Sequence, residues 1–185
     1  MMGNRGGALH NSDREIVRGY KSRRWITCVL EFRGRHRTIM SEGRYTELFF
    51  LDEAVSLAAG HRPCAECRRE RYVAFKTAWQ RLYKRADPPF ADEMDLELHR
   101  ARIDKPRQKV TYQAALSSLP DGCLIQVEGC AYLVWADALL LGTPQGYAKK
   151  NGQPRDVTVT VLTPQPIVGC IREGYRPEIH QTGLA

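Results

Sequence analysis

The stretch 45–83, YTELFFLDEAVSLAAGHRPCAECRRERYVAFKTAWQRLY, decides how this chain is organised. Asp52 is a short polar side chain placed where its oxygen can accept the free N–H groups of a first helical turn, so it predicts the N-cap of a helix over 53–59. Gly60 sits at the C′ position, where glycine takes a left-handed conformation without steric cost. Ala54, Leu57 and Ala58 form the buried stripe of that helix. Beyond it lies Cys64-Ala65-Glu66-Cys67. Two sulfurs three positions apart at a turn can bind one metal ion, but a structural zinc needs four ligands, commonly two such pairs. After the pair, Tyr72, Phe75, Trp79 and Leu82 recur at steps of three and four and predict a longer helix over 68–85, ended by Pro88-Pro89.

Upstream, residues 25–32 (WITCVLEF) and 36–40 (HRTIM) flank Arg33-Gly34-Arg35 and predict a β-hairpin, with a further short strand over 47–50. Residues 1–24 are rich in Gly, Asn, Ser and Arg, including Arg5, Arg14, Arg18, Lys21 and Arg23, and read as a basic loop or flexible arm. Downstream, 87–108 reads as a connector with a short helix near 95–102. A short helix is expected over 110–119, then a turn at Leu119-Pro120-Asp121-Gly122. A second hairpin follows over 123–128 and 131–135, and Val157 to Leu162 supplies a third strand. Residues 141–152 read as a glycine-rich basic loop and a candidate binding surface containing Lys149 and Lys150. The tail at 166–180 repeats the device of a short helix ending on glycine, with an Arg-Pro to redirect the chain. The expected fold class is α+β, divided as 1–24, 25–86, 87–108 and a β-rich subdomain with short helices over 109–185.

Composition narrows the partners. A formal net charge of +7 and six cysteines without an apolar leader favour phosphate-bearing partners and point to a reduced, cytoplasmic setting. Apolar runs are too short to span a bilayer, so no membrane partner is expected. Cys64 and Cys67 belong either to a zinc site or to a set of reduced buried thiols. On the hairpin reading, the nearest further ligands are Cys28 and His36, some ~13 Å apart along the strands and so too far to share one ion without a bulge. His61, His99 and His10 are the substitutes.

The runs 49–54, FFLDEA, and 58–67, AAGHRPCAEC, resemble the second half of the Ada-type metal-binding domain, known from the bacterial methylation-damage response. The resemblance covers roughly residues 25–70, and the whole chain is similar to an uncharacterised bacterial family. It implies a small zinc-binding α/β module, with Cys64 and Cys67 as ligands and His36 as the candidate within the window about thirty residues upstream. It does not imply transfer of a methyl group from a DNA phosphotriester, because that window, 32–36, contains no thiol. The expected function is nucleic-acid binding, with DNA favoured, through a structural zinc knuckle flanked by Arg62, Arg68, Arg69, Arg71, Lys149 and Lys150. An enzyme using Asp137, Tyr147, Lys149, His180 and His99 in a pocket between the two halves, and a protein-interaction module, are the alternatives. No assembled acid–base or nucleophile motif supports the enzyme.

Overall fold

A computed structural model describes residues 1–35, 38–104, 108–150 and 157–184, with the side chains of 149 and 150 excepted. It is an α+β protein with two sheets. The chain begins directly in a strand, β1 (Met2–Asn4), followed by β2 (Ile26–Cys28), β3 (Leu48–Phe49), helix α1 (Glu53–Ala58) and β4 (Arg62–Pro63). Helices α2 (Arg69–Leu82) and α3 (Ala91–Arg102) come next. Then follow β5 (Tyr112–Ala115), β6 (Leu124–Val127), β7 (Cys130–Trp135), β8 (Ala138–Thr143), β9 (Gly146–Lys150), β10 (Thr158–Val161) and helix α4 (Gln165–Arg172).

The first sheet has the order β3-β1-β2-β4. Among the described residues the expected hairpin over 25–40 is not found, residues 36 and 37 lying outside them: β2 pairs with β1 on one side and, in parallel, with β4 on the other. The N-terminal residues are therefore an inner strand of this sheet, and the flexible-arm reading is corrected. Gly3 makes the close approach possible, since a Cβ there would lie 2.5 Å from the Phe50 ring. The Met1 ammonium donates to the Phe50 carbonyl at 2.7 Å, tying the chain end to the sheet edge. Arg5 packs on Trp25 together with Arg102, each guanidinium 4.0 Å from the ring centroid.

The second sheet is a six-stranded meander in part, with order β5-β10-β6-β7-β8-β9 and antiparallel pairing throughout. Two expectations are revised here. Residues 112–115 form a strand rather than a helix, because pairing with Thr158–Val161 overrides the modest helix preference of their alanines. The expected loop 141–152 is largely hairpin β8–β9, turning at Pro144-Gln145 between the paired Thr143 and Gly146. Lys149 and Lys150 lie on β9 in this hairpin.

Helix α1 behaves as its sequence predicts. Asp52 accepts from the Val55 N–H at 2.9 Å, and Ala54, Leu57 and Ala58 are buried. Gly60 has φ +83°, and a Cβ there would meet the Arg102 side chain at 2.5 Å. Helix α4 likewise ends before a left-handed glycine, Gly174. The expected boundary at 87–108 carries α3, whose Met94 and Leu98 are fully buried. One buried cluster crosses that boundary, joining Leu57, Phe75 and Trp79 to Ile125, Val159 and Ile167. Among the described residues, no helix is long and apolar enough to cross a membrane.

Candidate metal centre

The centre is made by the parallel pairing of two very short strands. Ile26 pairs with Arg62 and Thr27 with Pro63, so Cys28 and Cys64 emerge side by side from the ends of β2 and β4. The Cys64 N–H donates to the Thr27 carbonyl at 2.9 Å, which locks this register. The chain then turns into α2, and the turn brings Cys67 back to the other two. The Cys28, Cys64 and Cys67 sulfurs all lie within 4.8 Å of one another. A tetrahedral zinc at ~2.3 Å from each sulfur needs them ~3.8 Å apart, which small χ1 adjustments reach from here. The residues therefore fit a soft divalent metal.

The electrostatics suit a cation. The Cys64 thiol is pulled down to about 5, first by the hydrogen bond from Cys28 and then by the N–H groups of the turn, among them Glu66, which donates to the Cys64 sulfur at 3.4 Å. Cys28 is pushed far up because its proton is held against Cys64, with burial adding to the effect. Burial raises Cys67. Without a metal the three thiols thus concentrate one negative charge on Cys64, and a divalent cation would draw the remaining protons off. The other cysteines stand apart: Cys123 and Cys170 are core residues and Cys130 is exposed.

The estimated ~13 Å separation of Cys28 and His36 presupposed the absent hairpin. Cys28 instead meets the Cys64–Cys67 pair directly, while His36 lies outside the described residues. The missing-thiol ground for setting methyl transfer aside also fails. Cys28, 36 residues before Cys64, is an upstream thiol outside the 32–36 window. The three substitute histidines are occupied elsewhere. His61 is buried between Trp25 and Phe50 and accepts from Arg5, His99 lies against Tyr20, and His10 shares a hydrogen bond with Thr46.

Three of the arginines proposed for a phosphate backbone serve the interior instead. Arg62 makes a buried two-pronged pair with Asp95 at 2.8 and 2.9 Å. Arg68 is buried against Glu53 at 2.9 Å and also reaches Glu178. Arg71, partly exposed, pairs with Glu53 at 2.6 Å and packs over Tyr175. These motif residues hold the fold, which corrects Arg62 and Arg68 as surface contacts; Arg69 alone of the four is fully exposed. Among the described residues, those suggested for a pocket between the halves do not assemble one, the Lys149 side chain lying outside the description. The Tyr147 hydroxyl and the His180 N–H both donate to Asp52, at 2.8 and 3.0 Å, His99 is in the Trp25 cluster, and Asp137 sits in the exposed β7–β8 turn.

A cleft of about 360 Å³ opens beside the centre, with all three cysteines in its wall. Much of its remaining wall comes from residues 29–49, the segment read above as a closed hairpin and short strand. Asp95 as the partner of Arg62, and Glu53 as a buried hub, were also not evident in the sequence. Their only local signal is a carboxylate on a face otherwise destined for burial. No family model matches the chain, and no curated protein and no solved structure matches it either.

Proposed function

We propose that Cys28, Cys64 and Cys67 bind one zinc ion and that this centre is the functional focus of the chain. The reading is carried by the convergence of three sulfurs from β2, β4 and the turn into α2 within 4.8 Å. Thiolate donors favour zinc among the abundant divalent metals, and such an ion would staple together β2, β4 and the turn into α2. Elemental analysis of purified protein tests it. One zinc per chain is expected, lost in Cys28→Ser, Cys64→Ser and Cys67→Ser and kept in Cys130→Ser. Metal-free wild-type protein, or equal zinc in all variants, refutes it.

A second element of the proposal is nucleic-acid binding, with DNA favoured. Its support is the net charge of +7 together with the exposed Arg33, Arg35, Arg44 and Arg69 on segments bordering the cleft. With Cys28 in place, methyl transfer is open to a direct reading: intact mass after incubation with methyl-phosphotriester DNA, where a gain of one methyl group on Cys28 would establish it.

A further inference from the structure

We propose that the cleft beside the cysteines binds a small apolar molecule with a neutral nitrogen or sulfur donor, which occupies the fourth coordination position of the metal. This rests on the zinc reading above. Three protein ligands leave one tetrahedral position, and a zinc site that keeps one open is built to receive an exogenous group. Here the three sulfurs all line one cleft, so that position faces the cleft. Among the described residues, no further His, Cys, Asp or Glu joins the three as a possible ligand.

The wall defines the ligand's body. Met2, Ile26, Leu30, Phe32, Ile39 and Phe49 supply its apolar part. Leu30, Ile39 and Phe49 are 65%, 49% and 58% exposed, an apolar rim left open to water. Exposed apolar side chains grouped around a concavity mark a binding site more often than a bare surface. A volume of about 360 Å³ is at the small end for ligand sites and suits a molecule of one or two rings.

Charge selects the donor. Three thiolates on a divalent ion leave one net negative charge, and Glu47 and Glu66 add carboxylates to the same wall. Arg35 offsets only Glu66, with which it pairs at 3.3 Å. At the fourth position itself an anionic donor atom is therefore disfavoured against a neutral azole, thioether or amine, the Arg33, Arg44 and Arg69 cations lying outside this wall.

Cobalt-substituted protein tests this, because the visible d–d bands of cobalt report its coordination. Titration with 4-phenylimidazole should change those bands saturably and bind at least tenfold more tightly than imidazole, while benzoate leaves them unmoved. Leu30→Ser and Phe49→Ser should each weaken 4-phenylimidazole at least threefold at unchanged cobalt content. Bands insensitive to both azoles, equal affinity for the two, or a spectrum altered by His36→Ala in the absence of any probe would overturn the proposal; the last result would place the chain's own histidine on the metal. Failure of cobalt or zinc to bind at all is a separate result. It removes the zinc reading, and this one with it.

Discussion

Glu53 and Tyr175, 122 positions apart, are joined by a hydrogen bond from the tyrosine hydroxyl to a fully buried carboxylate. The same carboxylate accepts from Arg68, Arg71 and the Glu178 N–H, so every lone pair facing the interior is used. Its neighbour Asp52 does the same for Val55, Tyr147 and His180. Two consecutive acidic residues at the start of α1 thus hold residues 175–180 and the β9 strand against that helix.

Replacing Glu53 removes the buried carboxylate shared by Arg68, Arg71 and the Tyr175 hydroxyl and leaves only Glu178, at the edge of the site, to face the two guanidinium groups. We predict that Glu53→Ala lowers unfolding free energy by about 3–5 kcal/mol, measured by urea denaturation. A loss below about 1 kcal/mol would show that Glu178 and solvent replace it.

Arg62 and Asp95 form a buried two-pronged pair, side chains 5% and 2% exposed. Arg62→Met and Asp95→Leu should each cost about 3 kcal/mol or more, because each strands a buried charge. The double variant should cost less than the sum by at least about 2 kcal/mol, read from a double-mutant cycle. Additive losses would mean that the pair is not coupled.

Burial, reinforced by the Arg5 and Arg102 cations, holds the His61 imidazole well below its ordinary range. The folded protein keeps this ring neutral, while the unfolded chain protonates it below about pH 6.5. The unfolded state then binds more protons, so stability falls as pH is lowered through that value, by up to ~1.4 kcal/mol per pH unit from this group. The drop in stability from about pH 7 to about pH 5 should be shallower in His61→Gln by up to one proton's worth. Identical slopes for wild type and variant would exclude the histidine as the cause.

For nucleic acid, we predict DNA affinity that falls steeply with salt. Arg35→Gln and Arg69→Gln should each reduce the slope of log K against log salt by about 1. Buried Arg62 should not contribute, so folded Arg62→Met keeps the wild-type slope. Binding indifferent to salt, or none at low salt, ends this reading.

The sequence by itself determined the elements whose cause is local. Asp52 and Gly60 delimit α1, the aromatic spacing from Tyr72 to Trp79 builds α2, and Glu128-Gly129, both with positive φ, close the β6–β7 hairpin. It also marked Cys64 and Cys67, because a pair at a turn is visible as spacing. Only the tertiary structure decided that Cys28 joins them. Cys28 reaches the pair through a three-residue pairing of β2 with β1 and a two-residue pairing with β4, and contacts of such range leave no periodicity in the chain. The same holds for the arginines: a guanidinium written as a surface charge becomes a core group once Asp95 or Glu53 arrives from another element, since ion pairing offsets the desolvation that burial imposes.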